Sequence, residues 1–203
     1  MLRVALTGGI GTGKSVALAR FAEFGTPVVE ADALAHDVIA PGTPGAAAVR
    51  LRFGDGVIGP EDRVDRVRLG ALVFADEQAR RDLEAIVHPA VYQAIHDWMG
   101  AQEAMGERMA IVEIPLLFET GREGDFSCVV VTACGGEEQV RRAMARSNLA
   151  ESEARRRMAA QGPADDKVRR ADYVIRTDGT IEETRARAAA VWEALNRRAS
   201  VGY

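Results

Sequence analysis

The chain has 203 residues, 47% of them hydrophobic and 28% charged, with a formal net charge of −4. This is the balance of a globular domain whose core needs no disulfide or metal staple, and it lacks the basic surplus of a general nucleic-acid binder. No apolar run reaches membrane-spanning length and the N-terminus has no basic, cleavable leader pattern, so a cytoplasmic protein with neither a membrane nor a nucleic-acid partner is expected.

The elements follow in chain order. Residues 2–7, LRVALT, read as a short apolar strand, and residues 8–15, GGIGTGKS, as a glycine-rich loop. Ser15 to Phe24 reads as a helix with Leu18, Phe21 and Ala22 on one face and Gly25 as its stop. TPVVEAD (26–32) is a second strand, so the first two strands are joined by a right-handed parallel crossover. From 33 to 107 the pattern is helical and interrupted by turn-rich breaks at 41–45 and 53–62. RLGALVF, DEQARRDLEAIV and HPAVYQAIHDWM read as three helices, with Pro89 in the first turn of the last.

A third strand begins MAIVE within 109–119, and a fourth covers 126–133. Cys128 and Cys134 flank its VVVTA core, about 20 Å apart in an extended chain and so too far to pair; two buried, reduced thiols are expected. Two polar, arginine-rich helices follow at 137–146 and 151–161, then a fifth strand at 171–177. A closing helix at 180–198 has Ile181, Ala188, Val191, Trp192 and Leu195 as its expected buried side. Nearly all-apolar strands alternating with helices mean an α/β fold, a parallel five-stranded sheet covered by helices on both faces.

The glycine loop carries the chemistry. Gly8 to Ser15 satisfies G-x-x-x-x-G-K-[ST] between a strand and a helix, the context that makes the motif a phosphate-binding loop. Gly9, Ile10, Gly11, Thr12 and Gly13 present inward N–H groups, and the head of the helix, from Lys14 and Ser15 to Val16, adds its dipole. Lys14 is to reach the β- and γ-phosphates of ATP, and Ser15 is to place its hydroxyl on Mg²⁺. Lys14 and Lys167 are the only lysines in the chain.

Strand ends in a parallel sheet share one edge with the ligand. That delivers Asp32, at the end of the second strand, as an acceptor for a hydroxyl proton during phosphoryl transfer; an N-cap for the next helix is an equal reading of the same residue. Glu30 shares its face. An arginine over the transferring group lowers the barrier to transfer, and of Arg141, Arg142, Arg146, Arg155, Arg156 and Arg157 most read as a solvated, salt-bridged surface. Arg142 and Arg146, four residues apart, can share one face. His36, His88 and His96 carry no metal or nucleophile spacing, and a lone histidine at the His88–Pro89 junction is more often a packing or capping residue.

These residues leave several readings: a small-substrate kinase, a nucleotide-switch module, or a mechanical ATPase. A guanine-reading N-K-x-D stretch is missing, and AIVEIP offers only a lone Glu113 where a motor would have an Asp-Glu pair. The fold alone hosts all of them.

Taken together, the segments resemble the dephospho-CoA kinase family over almost the full chain. The residues are ALTGGIGTGKS, Glu30-Ala31-Asp32 where the family has D-A-D, Phe53-Gly54, Asp65-Arg66 with Leu69 and Val73-Phe74, LEAIVHP at 83–89, and PLLFE at 115–119. The lid pattern falls on Gln139, Arg142, Arg146, Arg157 and Gln161, and A-D-x-V-I on 171–175. The resemblance implies a P-loop NTPase-type core over 1–32, 108–136 and 162–203, a helical insert at 33–107 that holds the CoA moiety, and a lid at 137–161. It implies transfer of the ATP γ-phosphate, with Mg²⁺, to the ribose 3′-hydroxyl of dephospho-CoA, with another small-substrate kinase of the same fold as the alternative. Asp32 aligns with the family's base; Lys14, Arg142 and Arg146 join it as catalytic residues. Thr177 and Gly179 fall near the adenine, and Asp32, His88, Leu116 and Glu119 at the acceptor. A monomer is compatible with all of this, and the oligomeric state is left open. The chain departs from the family pattern at Glu30, at Val16 where Thr is common, at Asp62 in place of Gly, and at Thr177 in place of Asn.

Overall fold

The computed structural model describes residues 1–147 and 149–201; Asn148, inside the expected lid, and the last two residues lie outside the described residues. The first part of the chain runs β1 (Leu2–Thr7), α1 (Lys14–Glu23), β2 (Val28–Glu30), α2 (Ala31–Asp37), α3 (Pro44–Phe53), α4 (Arg66–Ala75) and α5 (Glu77–Ala104). The second runs β3 (Met109–Glu113), β4 (Cys128–Ala133), α6 (Gly136–Ser147), α7 (Glu151–Ala159), α8 (Ala164–Arg169), β5 (Tyr173–Arg176) and α9 (Ile181–Ser200). Two compact units result: Met1–Val29 with Ala101–Tyr203, and Glu30–Gly100.

The sheet order is β2-β3-β1-β4-β5, and the β1–β3, β1–β4 and β4–β5 ladders are parallel. β1 is therefore central, so the loop that leaves it has neighbours on both sides. Every residue of β3 and β4 is buried, as expected of strands covered on both faces. One face carries Leu2, Val4, Leu6, Ile111, Val130 and Ile175 against Leu18 and Phe21 of α1 and Ala188 and Leu195 of α9. Trp192 closes the rim: its ring stacks on Phe24 at 4.5 Å and its indole N–H donates to Thr26 Oγ1 at 2.8 Å. Gly25, at φ 81, ends α1 in the left-handed conformation that a side chain resists, and its N–H returns to Ala22 O at 2.8 Å. A capping box starts α9, with Glu183 N donating to Thr180 Oγ1 at 3.1 Å and Thr180 N to Glu183 Oε2 at 3.0 Å.

Several expectations need correcting. The second strand stops at Glu30, and Asp32 lies in the first turn of α2 rather than on a strand or at an N-cap. Glu30 and Asp32 therefore share no strand face. The two helices expected on either side of His88 are one 28-residue helix, α5, with Pro89 inside it. Proline there leaves the Ala85 carbonyl without its helical donor. The burial of Ala79, Val91, Ile95 and Met99 along the helix outweighs that local cost. The far end of α5 is drawn to the sheet unit because Glu103 accepts from the Met1 ammonium at 3.0 Å and from Arg3 Nη2 at 3.1 Å. Helix α8 was not expected, being only six residues long. Ile181 is 61% exposed at the first position of α9, so the buried side of that helix begins at Thr184.

The unit Glu30–Gly100 has its own core around Val49, Val57 and Leu69. Asp62, which stands for a glycine of the family pattern, has φ 57, a left-handed conformation that Asp tolerates better than most residues, and its Oδ1 accepts from Arg50 Nη1 at 3.2 Å. Both cysteines are free and buried, and burial pushes the Cys128 thiol up to about 12.

The sheet unit depends on the contact between α1 and the strands. Phe21 is fully buried, so Phe21→Ala should lower unfolding stability by about 3–5 kcal/mol in a denaturant titration. A loss under about 1 kcal/mol would show that this face is not the core of the unit.

Candidate active site

The loop after β1 owes its shape to three glycines. Gly8, Gly11 and Gly13 have φ of 152, 73 and 81, and a Cβ on Gly8 would lie 2.6 Å from the Thr132 carbonyl oxygen and 2.7 Å from Thr12 Oγ1. A Cβ on Gly11 would lie 2.7 Å from Gln139 O. The close approach of β4 and α6 thus leaves no room for side chains, and the loop must show its backbone. Thr12 braces it from within, its hydroxyl donating to Gly9 O at 2.8 Å and lying 2.8 Å from Thr132 Oγ1.

Helix α1 opens directly from this loop. Gly13 is its N-cap, without a side-chain cap, and its first turn holds no acidic residue. An uncapped helix head with backbone N–H groups is an anion site in both charge and geometry. Lys14 adds a full positive charge. Its Nζ donates to Gly8 O at 3.0 Å and Gly9 O at 3.3 Å, and lies 3.7 Å from Glu113 Oε1. Glu113, 7% exposed at the end of β3, is thus the carboxylate nearest this cation, an acid inside an otherwise apolar strand. Ser15 follows with an exposed side chain, a hard oxygen donor, and Val16 is half-buried behind it.

Helices α6 and α7, the expected lid, meet the same loop. Ile10 packs against a small core of Val140, Ala143 and Ala154, and its N–H donates to Gln161 Oε1 at 2.7 Å. Arg142 is placed by three bonds: Nε to Glu138 Oε1 at 2.6 Å, Nη1 to Thr177 Oγ1 at 3.1 Å and Nη2 to Thr177 O at 2.8 Å. The hydrogen bond from Arg141, with that from Arg142 behind it, holds the Glu138 carboxyl down to about 2. Arg146, one turn on, is exposed. Arg155 is tied to Glu137 and Glu151, and Arg156 and Arg157 to Glu153, so these three are surface ion pairs. Gly179 supplies the φ 103 turn before the cap of α9, and Thr177 beside it is 1% exposed.

Of the expected acceptor residues, Asp32 and His88 belong to the unit Glu30–Gly100, and Leu116 and Glu119 to the sheet unit. Asp32 lines an open pocket of about 550 Å³ within the unit Glu30–Gly100, with His36, Arg66, Ile39, Leu69 and Leu83. Asp65 caps α4, the helix that carries Arg66 and Leu69, accepting from Val67 N at 3.0 Å and Arg68 N at 3.1 Å, and Arg66 Nη1 lies 3.2 Å from His36 Nδ1. The exposed His88 is not among the lining residues of this pocket. Leu116 is 43% exposed in the sheet unit, where Glu119 is bound by the buried Lys167 at 2.6 Å. Among the described residues no group of three or more His, Cys, Asp or Glu is arranged to hold a metal. No helix among them is long and apolar enough to cross a membrane.

Comparison with known proteins gives the family and the fold. A family model described as dephospho-CoA kinase matches residues 2–183. A dephospho-CoA kinase of Thermobifida fusca (strain YX) is 42% identical over 198 residues, covering 98% of each chain. One of Geobacillus kaustophilus (strain HTA426) is 41% identical over 199 residues, 97% of this chain and 99% of its own. Among solved structures, a protein of Thermus thermophilus matches with a TM-score of 0.81 at 36% identity, over 95% of this chain and 96% of its own. A dephospho-CoA kinase of Campylobacter jejuni matches at 0.75 and 25% identity, over 96% and 97%. A shikimate kinase of Bacteroides thetaiotaomicron, at 0.52 and 14% identity over 96% and 98%, shares the fold alone.

The crowding at Gly8 gives a direct test of the loop. Gly8→Ala should weaken binding of a fluorescent ATP analogue by about tenfold or more, because the loop cannot keep its path. Gly25→Ala, where a Cβ meets nothing within 4 Å, should cost only about 1 kcal/mol of stability and leave binding intact. Equal affinities in the parent and Gly8→Ala would remove this loop from the nucleotide site.

Proposed function

The chain belongs to the dephospho-CoA kinase family, and we propose how its own residues divide the work of that reaction. The reaction is transfer of the γ-phosphate of ATP to the ribose 3′-hydroxyl of dephospho-CoA, giving CoA and ADP. The single observation that carries the donor side is the Lys14 ammonium, inside a glycine loop at an uncapped helix head and held by two loop carbonyls and a carboxylate. Phosphate oxygens are better partners for that cation than carbonyls are, so binding of ATP turns Lys14 outward from Gly8 and Gly9 onto the β- and γ-phosphates.

Ser15 would hold Mg²⁺ through its exposed hydroxyl. A lone hydroxyl suits that ion, which takes most of its shell from phosphates and water; when bound it neutralises charge on the phosphates. Asp32 takes the proton of the 3′-hydroxyl as that oxygen bonds to the γ-phosphorus. The bond from the γ-phosphorus to the bridging oxygen breaks, and ADP leaves with the electron pair. Support for this role is the alignment of Asp32 with the family's base and its place in an open pocket beside Arg66 and His36. In that pocket the Arg66 cation faces the diphosphate of dephospho-CoA, and Ile39, Leu69 and Leu83 give it an apolar wall. Arg142 and Arg146 act when the lid closes. Two free, buried thiols suit a reducing compartment, and we place the reaction in the cytoplasm.

The assay is direct. ATP, Mg²⁺ and dephospho-CoA should yield equimolar ADP and CoA, while nucleoside monophosphates, shikimate and gluconate should not be phosphorylated. Asp32→Asn should lower kcat by about 10²–10⁴-fold with ATP affinity unchanged, and Glu30→Gln should cost less. An inactive Glu30→Gln beside an active Asp32→Asn would transfer the base to Glu30.

A further inference from the structure

At position 177 this chain has threonine where the family pattern has asparagine, and the side chain does not face outward to a ligand. It is 1% exposed, and its hydroxyl is used in both directions. The hydrogen goes to Thr12 O at 2.9 Å, and the oxygen accepts from Arg142 Nη1 at 3.1 Å. A hydroxyl has one hydrogen to give, so none is left for a nucleotide base. The Thr177 carbonyl accepts a second Arg142 N–H at 2.8 Å, and Thr177 N is bonded to Ala133 O at 2.8 Å. One residue at the end of β5 thus joins the floor of the phosphate loop, the end of β4 and the lid arginine.

The same residue sets the gap above the helix head. A Cβ on Gly13 would lie 3.4 Å from Thr177 Cγ2, so the threonine methyl packs against the turn that precedes Lys14. A Cβ on Gly11 would lie 3.4 Å from Arg142 Cβ, so the arginine stem runs along the other side of the loop. Arg142 has five N–H donors in a rigid plane, and three bonds to two residues fix that plane. Its orientation against the loop is held on one edge by Glu138 and on the other by Thr177.

We propose that Thr177 is a positioning residue: it acts through Arg142, locking the lid guanidinium to the Thr12 segment of the phosphate loop. It does not touch the nucleotide with its own side chain. Thr12 and Arg142 then respond to nucleotide together, and a change at either end is felt at the other. The proposal rests on the reading of this loop and lid as the ATP site, but not on the identity of the acceptor.

A double-mutant cycle tests it. Thr177→Val keeps the shape and removes the hydroxyl. Measured as kcat/KM for ATP with dephospho-CoA saturating, Thr177→Val and Arg142→Ala should each lower the value by about tenfold, and the double variant should be no worse than Arg142→Ala to within about twofold. Thr177→Ser, which keeps the hydroxyl, should restore the parent value to within about twofold. Unchanged kinetics in Thr177→Val overturn the proposal, even with a lower melting temperature, since a purely structural role moves only the latter. Additive losses in the double variant also overturn it, because Thr177 would then act independently of Arg142. Should Thr177→Val not fold, Thr177→Ala removes the same hydroxyl without placing a new methyl beside Thr12 O. If the parent makes no CoA, the assignment of the acceptor has failed separately. The same proteins titrated with the β,γ-imido analogue of ATP then decide the cycle, a coupled loss supporting the proposal and an additive or absent one overturning it.

Discussion

A cation mostly withdrawn from water must have partners, and the site is organised around the ones Lys14 has. Its side chain is 15% exposed, its ammonium held by the carbonyls of Gly8 and Gly9 and by Glu113. Removing such a charge from water costs several kcal/mol unless polar groups surround it. The chain supplies them with backbone, which requires a loop bare of side chains, and with one carboxylate at the end of the neighbouring strand. The three positive-φ glycines, the central position of β1 and the acid at the end of β3 together bring these groups to the ammonium. The partners are also replaceable. Carbonyls and a carboxylate held 3.0 to 3.7 Å away leave the ammonium able to transfer to a more strongly charged oxygen.

Around this centre, hydrogen bonds tie the loop to the helices that follow it. Gln161 accepts from Ile10, Thr132 meets Thr12, and Thr177 joins Thr12 to Arg142. Each bond is worth about 1 kcal/mol by itself, but together they leave the loop few ways to move alone. On the surface of α6 and α7, Arg141, Arg155, Arg156 and Arg157 are paired with carboxylates. Arg142 differs because two of its bonds reach Thr177, whose hydroxyl also bonds Thr12 of the glycine loop.

Much of this was legible in the sequence, for physical reasons. Five strands were readable because buried parallel strands are almost uniformly apolar, and the loop because glycine, lysine and serine at that spacing between a strand and a helix serve one purpose. The ends of elements were not. Asp32 read as the end of a strand because TPVVEAD is extended in character, yet helix α2 begins at Ala31. Pro89 read as a helix start, and the burial of residues on both sides of it kept α5 continuous. Lys167 drew notice only as a rare lysine; its pairing with Glu119 joins residues 48 apart, a distance no local pattern reports. Thr177 read as a departure from the family pattern, and only the folded chain shows what its hydroxyl is bonded to.

If Lys14 is the centre of the site, its charge should matter far more to the reaction than to the fold. Lys14→Met keeps the length of the side chain and removes the ammonium. The decisive measurement is its kcat with ATP, Mg²⁺ and dephospho-CoA, alongside its unfolding midpoint. The account predicts a turnover lower by about 10²-fold or more in a protein that still unfolds cooperatively, because stabilisation of the transferring phosphoryl group is mainly electrostatic. Turnover near that of the parent in a folded Lys14→Met protein would contradict it.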